Sequence, residues 1–132
     1  MTHPLVETLS KTDGTEIVGA DTLEMYLKAR TDCLTLLFFP GHDARKLETP
    51  DVAVVLVELK KMFGDLVRVA IVSAEDERSL MGRCAVLMLP SISIFHGDQH
   101  LQTIGKIQDW EVYARDLPAL LERAELVTSS TH

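Results

Sequence analysis

Two stretches of this chain, Cys33–Phe39 and Leu66–Val72, are rich in aliphatic, β-branched and aromatic residues and lack the strict polar alternation of a half-exposed strand. Strands of that kind are buried on both faces, the habit of parallel sheets whose crossover helices cover them. The segment between them reads as such a crossover. Thr49-Pro50-Asp51 offers a capping hydroxyl, a proline at the first helical position and an early carboxylate, and Gly64 closes the helix after Phe63. Val52, Val55, Leu56, Leu59, Met62 and Phe63 fall on one helical face, whereas Val54 and Val57 project from the opposite side. A strand–helix–strand unit of this composition points to a layered α/β domain.

The flanking segments extend the pattern. Ile17-Val18 is a short first strand, and Asp21 opens an amphipathic helix with Leu23, Tyr26 and Leu27 as its stripe, ending near Arg30. Ser73 caps a short helix through Met81, with Asp76 placed as in a capping box. Ser91–Phe95, a turn at His96–Gln99 and His100–Ile104 form a hairpin that Gly105 ends. Asp109 caps the last helix, with Trp110, Tyr113 and Leu117 inward, and Pro118 predicts a kink or restart at Asp116. Val127–His132 reads as a frayed end. The expected architecture is one α/β domain over residues 1–132, a mixed central sheet with helices on both faces.

The totals narrow the function. With 46% hydrophobic and 25% charged residues the composition is that of a soluble globular domain. The net charge of −7 serves solubility or favours a basic partner such as an arginine-bearing peptide. No clustered Lys/Arg surface is present to grip phosphates, so nucleic acid is excluded as a partner. Met1-Thr2-His3-Pro4-Leu5-Val6-Glu7 has no basic region followed by an apolar one, as a secretory signal would. The apolar runs fall far short of the ~20 residues that span a bilayer, so membrane insertion is not expected. Cys33 and Cys84 are too far apart for a CxxC or a zinc knuckle, and their apolar neighbours predict buried, reduced thiols. The expected location is the cytoplasm.

Leu89-Pro90-Ser91, leading into a strand, a turn and a second strand, resembles the segment of thioredoxin-like proteins in which a cis-proline faces a redox-active cysteine pair. That pair is absent: after Leu34–Phe39 the chain continues Pro40-Gly41-His42-Asp43-Ala44-Arg45-Lys46-Leu47. A docking strand without adjacent thiols points to binding, with no catalytic residues, no metal and no cofactor. A cis bond before Pro90 would leave neighbouring backbone groups free for an extended peptide, although Pro90 could simply shape the strand entry.

Three motifs carry a closer resemblance: Asp51-Val52-Ala53-Val54-Val55-Leu56-Val57-Glu58-Leu59 with Glu48 just before it, then Leu89-Pro90-Ser91, then Asp109-Trp110-Glu111-Val112-Tyr113. Over about Val18 to Leu121 the chain resembles the HupG/HyaE-type accessory proteins of nickel–iron hydrogenase maturation. One departure is Val57, where that pattern has proline. The resemblance implies a non-redox, thioredoxin-fold chaperone that binds the hydrogenase small-subunit precursor and contacts its twin-arginine signal peptide.

The remaining candidates divide by chemistry. Asp43 and Glu48 lie where the cysteines would sit and can pair with guanidinium groups, or else with Arg45, Lys46 and water. Glu75, Asp76 and Glu77 read as carboxylates complementing a helix dipole. His96 and His100 flank a turn without a third ligand, and His42 beside Asp43 lacks a nucleophile to activate. Val54 and Val57 offer apolar area for a homodimer or partner contact, or are ordinary exposed valines. Trp110 and Tyr113 are expected as core anchors. Two rival functions remain: a thiol enzyme using Cys33 or Cys84 singly, and a structural subunit docking through the Val54/Val57 face.

Overall fold

The computed structural model describes residues 16–41, 49–105 and 108–126. Along the chain these form β1 (Glu16–Val18), α1 (Leu23–Ala29), β2 (Leu34–Phe39), α2 (Thr49–Phe63), a 3-10 turn (Gly64–Leu66), β3 (Val67–Val72), α3 (Glu77–Met81), β4 (Ser91–His96), β5 (Gln99–Gly105) and α4 (Trp110–Arg123). The sheet order is β1-β3-β2-β4-β5, with β1, β3 and β2 parallel and β4 and β5 antiparallel. This is the thioredoxin-like layout that the apolar strands and the hairpin predict.

Side-chain alternation divides the core into two layers. On one side Leu34, Leu36 and Phe38 of β2, Val67, Val69 and Ile71 of β3, and Ile92 and Ile94 of β4 meet α2 and α4. On the other, Leu37, Phe39, Ala70, Val72 and Phe95 meet Leu23 and Leu27 of α1, Leu80 of α3, Cys84 and Val86. This second layer also contains a buried cation, Arg68, seated on the C-terminal carbonyls of α1.

Several local expectations change. α1 begins at Leu23 rather than Asp21, because Gly19–Thr22 forms a turn in which the Thr22 and Leu23 N–H groups both donate to the Gly19 carbonyl. Asp76 does not close a capping box with Ser73. Its Oδ2 accepts the Ala20 N–H at 2.8 Å, and a Cβ on Gly19 would stand only 2.6 Å from that oxygen. The Ser73 hydroxyl still lies 3.5 Å from the same oxygen, but the Ser73 N–H donates to the Val18 carbonyl instead, and α3 starts only at Glu77. Nor does Pro118 break α4, which runs unbroken from Trp110 to Arg123. Buried Tyr113 and Leu117 before the proline, and Leu120 and Leu121 after it, hold both halves on the same core.

The apolar face of α2 also differs. Leu56 and Leu59 are buried, but Met62 is 56% exposed. Successive i, i+3 steps drift about 60° per step around a helix, which carries Met62 off the sheet. Val54 is 46% exposed as expected. Val57 is not on a free outer face: it is half-buried and packs against the cluster that also holds Leu120 and Leu121. With α4 on the same side of the sheet, apolar surroundings extend past the stripe that faces the strands. Trp110, expected in the core, sits at the first position of α4 and is 40% exposed.

Candidate peptide-docking site

The Leu89–Pro90 bond is cis. β2 and β4 run antiparallel with Phe39 opposite Ser91, so Pro40, which follows Phe39, and Pro90, which precedes Ser91, leave the ladder at the same end. The segment replacing a thiol pair therefore starts beside the proline strand.

What precedes Pro90 is shaped by the end of α3. The Val86 N–H donates to the Met81 carbonyl at 2.8 Å and the Ala85 N–H to Gly82 at 3.3 Å, with Ala85 at φ 56°. This is the two-bond Schellman closure, with alanine in the left-handed position that usually takes glycine. The chain then emerges through Leu87, Met88 and Leu89, whose N–H groups have no backbone partner among the described residues. Leu89 packs half-buried on the α1/α3 layer, whereas Leu87 is 91% exposed. Ser91, buried at the strand entry, donates its hydroxyl to the Met88 carbonyl. Unpaired backbone beside exposed apolar side chains is what strand addition uses.

Asp43 and Glu48, together with His42, lie outside the described residues, as does the stretch Val127–His132. The base of their loop is described. Gly41, at φ 82°, donates its N–H to Glu77 Oε2 at 2.8 Å, and both residues are buried. Glu77 stands in the first turn of its helix, as expected, but it is buried and ties α3 to the exit of β2. The signal for it in the sequence was its i, i+3 spacing from Leu80, the apolar contact of α3.

Neither cysteine is placed for chemistry. Cys33 and Cys84 are unbridged and fully buried. Burial pushes both thiols up, Cys84 to about 11 from an ordinary 9.0. A thiol this basic is almost wholly protonated at neutral pH, and the thiolate is the nucleophile. The folded protein should therefore resist alkylation at pH 7, with labelling appearing only on denaturation; fast labelling of the native state would restore the thiol-enzyme reading. The sign of the linkage follows. The stabilising effect of the protonated Cys84 is complete below about pH 9, where both states hold the proton, and is lost as pH rises toward 11.

Both hairpin histidines are engaged. His96 Nε2 donates to the Thr31 carbonyl at 2.9 Å. His100 Nε2 lies 2.7 Å from Thr103 Oγ1, and its ring meets Phe95 edge-on at 5.4 Å. Among the described residues no three His, Cys, Asp or Glu side chains are grouped to hold a metal ion.

The model of the family described as "Hydrogenase-1 expression protein HyaE" matches residues 5–113 of the chain. The hydrogenase expression/formation protein HoxO of Azotobacter vinelandii is 36% identical over 121 residues, covering 92% of this chain and 80% of that one. HupG of Rhodobacter capsulatus, also named a hydrogenase expression/formation protein, is 39% identical over 114 residues, covering 85% and 80%. A crystal structure described as a HupG protein of Rhodopseudomonas palustris CGA009 superposes with a TM-score of 0.57 at 35% identity, covering 83% of this chain and 97% of that one.

Proposed function

The chain belongs to the HyaE family of hydrogenase expression proteins, and on that premise we propose that it is a non-redox chaperone for the small-subunit precursor of a nickel–iron hydrogenase. In this reading it works in the cytoplasm before export and holds the precursor by its twin-arginine signal peptide. An extended stretch of that peptide adds alongside Leu89-Pro90-Ser91, while Asp43 and Glu48 offer carboxylates to its guanidinium groups. No bond is made or broken, and no cofactor takes part.

The observation that carries this reading is that, among the described residues, the N–H groups of Leu87, Met88 and Leu89 have no backbone partner where the chain enters the proline strand. The deep burial of Cys33 and Cys84 supports it, since redox exchange needs an accessible thiolate.

A pull-down from cytosol of hydrogenase-producing cells tests it. The tagged wild type should capture the small-subunit precursor, and Asp43→Lys/Glu48→Lys should capture much less. Capture by both would keep the chaperone and move recognition off the loop. Failure of the wild type to capture any precursor would overturn the chaperone reading.

A second reading, a docking or homodimer surface on the outer side of α2, draws on Val54 and Met62, 46% and 56% exposed. Val57 contributes little to it, because it packs toward the core.

A further inference from the structure

The motif Asp109-Trp110-Glu111 sits at the start of α4 with all three residues exposed, although a buried tryptophan is the usual expectation for such a helix. Its position is close to the proline strand. Ser91 of β4 pairs with Gly105 at the end of β5, and Met88 Cγ and Sδ lie 3.0 Å from where a Cβ on Gly105 would stand. Gln108 bridges onward: its Nε2 donates to the Gly105 carbonyl at 2.7 Å and its N–H to Tyr113 Oη at 3.2 Å. The Tyr113 ring in turn lies 6.3 Å from the Trp110 ring. Leu87, Met88 and Trp110 are thus exposed apolar side chains around one end of the sheet.

The charges at this end decide what the surface suits. Asp109 occupies the N-cap position of α4 but its carboxylate makes no capping bond. Among the described residues neither Asp109 nor Glu111 is in an ion pair, while nearby Arg115 is held by Asp116. An exposed indole bracketed by two unpaired carboxylates is complementary to a guanidinium, which stacks on the ring and pairs with the acids. A second copy of this chain, with net charge −7, is a poorer fit than a basic segment.

We propose that this strip reads the side chains of the bound peptide: arginine over Trp110 between Asp109 and Glu111, and apolar residues on Leu87 and Met88. The inference rests on the chaperone reading and assigns it a recognition surface separate from Asp43 and Glu48. Its occupant is an extended peptide that carries arginine next to an apolar stretch. The N–H groups of Leu87–Leu89, which have no backbone partner among the described residues, fix the peptide's backbone, and the flanking side chains supply selectivity.

Trp110 is the chain's single tryptophan, so its emission reports on this surface alone. The full chain is titrated with a synthetic peptide in which an arginine pair precedes an apolar stretch, beside one control with arginine replaced by glutamine and another with the apolar residues replaced by serine. The expected result is a saturable change in emission with the first peptide that is weakened with both controls. By calorimetry, Trp110→Ala and Leu87→Ser should each weaken binding about tenfold with the circular dichroism unchanged. Asp109→Asn/Glu111→Gln should flatten the salt dependence of binding. Unmoved emission, together with equal precursor capture by wild type and Trp110→Ala, would overturn this surface while leaving the chaperone intact. Neither peptide binding nor precursor capture by the wild type would remove the chaperone reading and this surface together.

Discussion

Replacing Arg68 by alanine is expected to destabilise the protein by about 3 kcal/mol, a large share of the roughly 5–15 kcal/mol that holds a domain of this size. Arg68 stands in β3 with its side chain on the α1 side of the sheet, buried where an aliphatic residue would be ordinary. Its Nε donates to Thr35 Oγ1 at 2.8 Å, and its Nη2 donates to the Tyr26 carbonyl at 2.6 Å and lies 3.4 Å from that of Leu27. The guanidinium also stacks over the Tyr26 ring at 3.9 Å. α1 has only seven residues, so its unsatisfied C-terminal carbonyls are a large fraction of its backbone. A cation there satisfies them and lies at the favourable end of the helix dipole. Alanine would leave a cavity and buried, unpaired acceptors together. Urea unfolding measures the loss, and Arg68→Lys should recover less than half of it, because an ammonium lacks the planar fork. Amide exchange in α1 should rise most in the alanine variant. A shift under about 1 kcal/mol would mean that α1 does not depend on this clamp.

Arg68 also marks how far the sequence could be read. Continuous apolar character predicted β2 and β3 and their parallel pairing, because burial on both faces leaves so few alternatives. Leu89-Pro90 and the turn at Gly97 placed the hairpin, since those residues impose local backbone geometry. What escaped were residues whose partners are remote in sequence. Arg68 looks like an interruption in an apolar strand until α1 is folded over it. Asp76 looks like a local cap until Ala20 arrives 56 residues away. Trp110 was assigned to the core by its hydrophobicity, but its place at the first position of α4 leaves it on the rim. Val57 erred the other way, because periodicity along one helix says nothing of a second helix packed beside it. For the candidate site, the proline strand was legible from its motif. The hydrogen bond from Gly41 to Glu77 was not, since Glu75-Asp76-Glu77 reads as a uniform acidic patch.

Glu77→Ala should cost about 2 kcal/mol and also weaken precursor capture, a pairing that a purely structural residue far from the site would not give. The carboxylate is buried and accepts the Gly41 N–H at 2.8 Å, so alanine strands that donor away from water. Pro40 and Gly41 follow Phe39, which pairs with Ser91 just after Pro90, so a loosened Gly41 is expected to disturb the end of the sheet at which the proposed peptide would dock. α3 itself, with five residues, is too short to persist on helical propensity alone. It is tied to neighbouring turns through adjacent acids, Asp76 to Ala20 and Glu77 to Gly41. Glu77→Gln separates the contributions: its side-chain oxygen can still accept from Gly41, so it should keep most of the capture while losing about 1 kcal/mol of charge-assisted bonding. Denaturation midpoints and the pull-down, run on both variants, decide between the cases. Equal losses for glutamine and alanine would assign the anchorage to the charge rather than to the acceptor geometry. Unchanged stability and capture in Glu77→Ala would show that the bond to Gly41 supports neither the fold nor the site.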